Sequence, residues 1–140
     1  MDRERELNFL EEKYREDRAH LIVIYGRRRI GKTELVKQFM RGKRGIYHLC
    51  TSDGLLANVR RLREEFSEFT GKGYFRSLEV GLDQLLIYLV EEVRDRFVLA
   101  LDEFQYLIEA DRGVTSLIQR AWDEGLKDSR IFLILTGSSV

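Results

Sequence analysis

Four short apolar runs interrupt a chain that otherwise repeats its hydrophobic positions every three or four residues. The runs are residues 21–25, 46–50, 97–101 and 131–135. Residues 21–25 and 97–101 are continuously apolar without alternation, which is the pattern of short strands buried on both faces. The stretches around them read as amphipathic helices. Residues 3–20 put Leu7, Leu10 and Tyr14 on one stripe, with Glu11 and Arg15 as an i,i+4 pair. Residues 32–40 turn Leu35, Val36 and Phe39 inward, and Gly42 stops that helix. A third helix carries Leu55, Val59, Leu62, Phe66 and Phe69. A fourth carries Leu78, Leu82, Leu85, Leu89 and Val93, and a fifth carries Val114, Leu117, Ala121 and Trp122. Thr51-Ser52-Asp53-Gly54 reads as a turn with helix-capping residues, and Gly71-Lys72-Gly73 as a loop. Strands that alternate with helices predict an α/β protein with a mostly parallel sheet covered on both faces.

Composition narrows the function classes. At 140 residues, 44% of them hydrophobic, the chain has the length and apolar content for one domain with a true core. Charged residues reach 34%, above the ~25% average, but 24 basic and 24 acidic residues cancel. Nothing global therefore points to nucleic acid or to a membrane surface. The single cysteine, Cys50, excludes an internal disulfide and a cysteine-based metal site, and its place at the end of an apolar run predicts a buried thiol. His20 and His48 lack ligand-like spacing and read as ordinary surface or core histidines. The charged N-terminus does not resemble a signal peptide, and no apolar run approaches 18 residues. The expectation is a cytoplasmic protein with no membrane segment. Proline is absent, and glycine supplies the punctuation instead.

The chemistry concentrates after the first apolar run. Gly26-Arg27-Arg28-Arg29-Ile30-Gly31-Lys32-Thr33 fits G-x-x-x-x-G-K-[ST], a phosphate-binding loop, and it sits between a strand and a helix as that chemistry requires. The strand delivers the chain to the loop, backbone N–H groups wrap a phosphate, and the helix N-terminus adds partial positive charge. In that reading Lys32 reaches the β- and γ-phosphates and the Thr33 hydroxyl holds Mg²⁺. Arg27, Arg28 and Arg29 read as a solvated or subunit-facing patch, because such a loop binds mainly through its backbone. DNA binding by this segment is not supported.

Such a loop calls for a carboxylate at the end of a neighbouring buried strand, to hold the metal through water. Asp102 ends the third apolar run and takes that role. Glu103 follows it and points elsewhere, where a carboxylate can orient or deprotonate an attacking water. A kinase would not need this second acid, so the pair argues for hydrolysis. The fourth run ends in Thr136-Gly137-Ser138-Ser139. Ligands of parallel sheets bind at the carboxyl ends of strands, so Thr136, Ser138 or Ser139 could sense a γ-phosphate or the attacking water.

Five segments in order resemble the archaeal ATPase family within the AAA+/STAND division of P-loop ATPases. They are Asp2-Arg3-Glu4-Arg5-Glu6-Leu7, the loop with Glu34-Leu35 after it, Leu101-Asp102-Glu103-Phe104-Gln105-Tyr106-Leu107, Leu117-Ile118-Gln119-Arg120-Ala121-Trp122-Asp123, and Leu135-Thr136-Gly137-Ser138-Ser139. The resemblance runs over essentially the whole chain. It implies a three-layer core with a parallel sheet of order 5-1-4-3-2, and ATP and Mg²⁺ as ligands. It places the Arg3-Glu4 region near the adenine, in an N-terminal helical segment 1–20 ahead of a core at 21–140. It implies that residues 26–34 line the nucleotide, with Lys32 on phosphate and Thr33 and Asp102 on the metal. It makes Glu103 the catalytic acid or base and puts Ser138 near a sensor position where relatives carry Asn or Thr. Four strands are visible, in the expected order 1-4-3-2. The family's fifth strand and helical lid are expected to be missing, leaving the first strand as an exposed apolar edge prone to association.

Three functions follow as alternatives. The first is an ATPase core that hydrolyses Mg·ATP. The second is a nucleotide-binding switch or interaction module with negligible turnover. The third is a remnant that needs a homo-oligomer or a partner protein to supply the missing strand. A small-molecule kinase is the competing enzyme class, and no second substrate motif supports it.

Overall fold

In the computed structural model, which describes residues 3–27 and 31–139, four strands form one parallel sheet. They are β1 (His20–Arg27), β2 (Gly45–Leu49), β3 (Phe97–Asp102) and β4 (Ile131–Ser139), in the order β1-β4-β3-β2. This is the order expected. Among the described residues there are six α-helices, α1 (Arg3–Arg15), α2 (Lys32–Met40), α3 (Leu55–Thr70), α4 (Leu82–Glu92), α5 (Gln105–Ala110) and α6 (Val114–Glu124). None is long and apolar enough to cross a membrane.

The apolar run 97–101 has the burial it predicts, whereas the first run does not, because as an edge strand it leaves Val23 and Tyr25 exposed, and β2 alternates with Leu49 exposed. β3 is buried along its whole length, and its side chains divide strictly between two cores. Val98 and Ala100 join Phe132 and Ile134 of β4 beneath α1 and α2, through Leu10, Leu35, Val36 and Phe39. Leu99 and Leu101 join Leu133 and Leu135 beneath α3, α4 and α6. Tyr14, Phe39 and Phe132 meet with centroids 5.3–5.6 Å apart, locking α1 and α2 onto the sheet. Burying Leu35, Val36 and Phe39 is worth roughly 2 kcal/mol each, and this fixes the helix that carries Lys32 and Thr33.

Several boundaries differ from the sequence expectation, each for a visible reason. The first helix ends at Arg15, not near His20. The Arg96 guanidinium takes the carbonyls of Lys13, Tyr14, Glu16, Arg18 and Arg130, and His20 opens β1 opposite Phe132. Glu11 pairs with Lys43, Nζ to Oε2 2.9 Å, tying α1 to the end of α2. The turn before α3 carries no side-chain cap. Gly54 is its N-cap, and Asn58 donates to the carbonyls of Thr51 and Gly54. Helix α4 starts at Leu82, and a 3₁₀ turn at Gly73–Ser77 buries Phe75 ahead of it. The polar tail 136–139 extends β4 beyond Leu135: Ile24, Tyr25, Gly26 and Arg27 pair with Thr136, Gly137, Ser138 and Ser139.

β1 lies at the sheet edge among the described residues, as expected. Val23 and Tyr25 are 60% and 57% exposed on it, and a groove of about 430 Å³ runs between its outer side and α1. The Tyr25 ring covers Gly137, where a Cβ would collide with it.

Candidate functional site

The carboxyl ends of β1, β3 and β4 converge on the N-terminus of α2. Gly26 and Arg27 end β1. Arg28, Arg29 and Ile30 lie outside the described residues. Gly31 caps α2 with φ 76°, a left-handed conformation that glycine adopts without steric cost. A Cβ there would stand 2.8 Å from the Arg3 guanidinium, so the first turn of α1 closes over this point. Lys32 is buried, and its Nζ donates to the Gly26 carbonyl at 3.4 Å, folding the start of α2 back toward the end of β1. Glu34 lies exposed on the first turn of α2.

Asp102 ends β3 fully buried and accepts hydrogen bonds from three hydroxyls. Thr33 Oγ1 donates to Oδ2 at 2.7 Å, Tyr47 Oη also donates to Oδ2, and Thr136 Oγ1 donates to Oδ1. Burial by itself would raise the Asp102 carboxyl. The hydrogen bonds from Thr136, Tyr47, Thr33 and the Glu103 backbone outweigh it and hold the carboxyl below the usual range. The Tyr47 phenol moves the opposite way, pushed up by burial and by its bond to Asp102. The donor thus stays a hydroxyl and the acceptor stays a carboxylate across the physiological range.

Glu103 is the one described non-glycine residue at positive φ, 60°. That turn carries the backbone away from the sheet, and the Glu103 N–H bonds to Thr136 Oγ1 at 3.1 Å. Its carboxylate accepts from Gln105 Nε2 at 2.5 Å, and Gln105 Oε1 accepts from the Ser138 N–H at 3.1 Å. Gln105 therefore bridges Glu103 to the end of β4. The Ser138 hydroxyl is buried and has no hydrogen-bond partner among the described residues.

The structure thus brings together Gly26, Gly31, Lys32, Thr33, Asp102, Glu103 and Ser138. Tyr47 and Gln105 were missed in the sequence. Gln105 lies two residues beyond Glu103, but only its contacts distinguish it. Tyr47 lies in the second apolar run and becomes a neighbour of Asp102 through strand register. The histidines and the cysteine stand apart. His48 is buried with Nδ1 2.8 Å from Glu65 and Nε2 3.1 Å from Asn58, tying β2 to α3. The Cys50 thiol is pushed up to about 12 by burial. Among the described residues no cluster of His, Cys, Asp and Glu suits a metal ion.

A parallel 1-4-3-2 sheet, with a glycine loop between β1 and α2 and a buried aspartate at the end of β3, is a P-loop ATPase architecture. The chain belongs to a family of ATPase domains found predominantly in Archaea, whose model matches residues 1–140. It is 48% identical over 92 residues to an uncharacterized protein of Methanocaldococcus jannaschii, covering 65% of this chain and 89% of that one. Among solved structures it resembles a Walker-type ATPase of Pyrococcus abyssi, with a TM-score of 0.64 and 29% identity over 97% of this chain and 45% of that one. Cdc6p of Pyrobaculum aerophilum shares the fold, with a TM-score of 0.64 and 21% identity over 98% of this chain and 39% of its own. The chain spans less than half of either solved structure.

Proposed function

We propose that this domain binds ATP with Mg²⁺ in the loop 26–33 and hydrolyses it, as an AAA+/STAND-like ATPase. The 2.7 Å bond between Thr33 and Asp102 carries the reading. It joins the loop helix to the end of a buried strand and presents two hard oxygen ligands at one point, the donor chemistry that Mg²⁺ prefers. Thr33 and Asp102 would hold the ion, Asp102 through water, and the bound ion would neutralise charge on the phosphates. Lys32 would leave the Gly26 carbonyl for the β- and γ-phosphates. Glu34 would flank the nucleotide, and Arg3 and Glu4, carried to the loop by α1, would lie beside the adenine. Glu103 would orient and deprotonate the attacking water, and the unpartnered Ser138 hydroxyl would meet the γ-phosphate. Catalysis in such a site is mostly positioning and charge stabilisation.

A second reading, a nucleotide-holding switch with negligible turnover, is favoured by one contact. The Glu103 carboxylate is engaged by Gln105 and must be released before it can act on water. In either reading the exposed edge of β1 is where a second copy or a partner protein would add a strand.

Calorimetry with and without Mg²⁺ tests binding: wild type should bind ATP and Lys32→Ala should not. Single-turnover phosphate release separates the two readings. Turnover that Glu103→Gln removes, with binding intact, supports hydrolysis. Binding without release supports the switch, and equal turnover in both proteins would remove the role given to Glu103.

A further inference from the structure

Asp102 receives more donors than its own burial demands. Thr136 on Oδ1 and Thr33 on Oδ2 already give each oxygen a partner. Tyr47 adds a third hydroxyl, on Oδ2, from a different strand. Its reach is set by register. Tyr47 pairs with Ala100, and the next side chain on the same face of β3 is Asp102, about 6.6 Å along the strand. The phenol spans that one step, and the small side chain of Ala100 leaves room for the ring. Lys37 of α2 lies over the ring, Nζ 5.0 Å from its centroid, and the ring packs against the core beneath α1 and α2.

The three hydroxyls are not equivalent. In the reading given above, the Thr33 oxygen is shared with the cation, so its bond to Asp102 reorients when the ion is bound. Thr136 and Tyr47 sit outside the loop and clamp one carboxylate oxygen each. Without Tyr47, Oδ2 would be held only by the residue that the ion engages.

We propose that Tyr47 is a positioning residue for the divalent cation, fixing the rotation of the Asp102 carboxylate from the β2 side. The inference rests on the Mg·ATP reading and adds to it a residue from outside the loop and the β3 end. The gain in ATP affinity that Mg²⁺ confers therefore depends on the Tyr47 hydroxyl, whereas affinity without the metal does not.

The test is calorimetric titration of ATP into wild type and Tyr47→Phe, each with Mg²⁺ and with EDTA. Loss of one charge-assisted hydrogen bond should lower the Mg²⁺-dependent gain roughly tenfold and leave the EDTA affinity unchanged. An undiminished or larger gain overturns the proposal, as does an equal fall in both affinities, which a merely structural tie would produce. Thermal melting checks folding. If Tyr47→Phe does not fold, Tyr47→His at the same half-buried edge-strand position serves instead. Its ring is too short to reach Asp102 and should show the same selective loss. Wild-type titrations separate the two levels. No ATP binding refutes the parent reading and this one with it, whereas binding indifferent to Mg²⁺ overturns the role of Tyr47 and leaves nucleotide binding standing.

Discussion

Replacing Thr136 with valine removes one hydroxyl and keeps the side-chain shape. Thr136 is 1% exposed, and its Oγ1 both donates to Asp102 and accepts from the Glu103 N–H. The bond to the carboxylate is charge-assisted and worth about 1.5–3 kcal/mol, and the orphaned N–H costs about 1–3 kcal/mol. The added methyl returns roughly 1 kcal/mol. The net loss is about 3 kcal/mol at neutral pH, or roughly 9 °C in melting temperature for a domain of this size. Part of that loss depends on pH. Asp102 has its carboxyl lowered by folding, and among the hydrogen bonds responsible the Thr136 bond is the largest. Such a group contributes stability that is present above its unfolded pKa, about 3.9, and lost as pH falls through the folded value. Without Thr136 the folded value moves back up, so the variant has less of this stability to lose. The gap between wild type and Thr136→Val should therefore be full above about pH 5 and narrow below about pH 4. Urea midpoints over a pH series measure it. A gap that stays constant down to about pH 3 would refute the charge-assisted reading. A gap below about 1 kcal/mol at neutral pH would mean that Thr33 and Tyr47 already satisfy the carboxylate.

Two further substitutions probe the frame around the site. Arg96→Ala should cost about 2–4 kcal/mol by orphaning carbonyls at the end of α1, and should raise amide exchange in α1 above that in α2. Arg96→Lys should recover little of this, because one ammonium cannot fan over five carbonyls, and full recovery would refute the capping argument. Glu103→Gly should raise stability by about 1 kcal/mol, by relieving a left-handed residue, while abolishing turnover. A lower melting temperature in that variant would show that the bond to Gln105 outweighs the backbone strain.

The legibility of this chain follows the range of the interactions. Phe97 to Leu101 announces a buried strand because its burial on both faces is written in consecutive residues. Lys32 and Thr33 are legible because a phosphate loop is one contiguous segment. The end of α1 is not legible in its own segment because it is set by Arg96, 82 residues from Tyr14. The strand character of residues 136–139 was missed because it comes from pairing with β1, and neither segment carries that pairing in its own composition. The same holds for Tyr47, whose contact with Asp102 exists only once β2 and β3 are in register. Gln105 lies within the segment Leu101–Leu107, but its side chain acquires a role only between Glu103 and Ser138.

The strand order also ranks the steps by which the site comes into being. The β3–β4 pairing joins residues about 35 apart and β2–β3 about 55, whereas β1–β4 joins residues about 110 apart. Loop-closure entropy favours the shorter pairings first. As the chain leaves the ribosome, β1 is made early and must wait for β4 before any described strand can receive it. The end of β1 at Gly26 and Arg27 is thus seated among the last parts of the sheet, and under the proposed function nucleotide affinity would report completed folding.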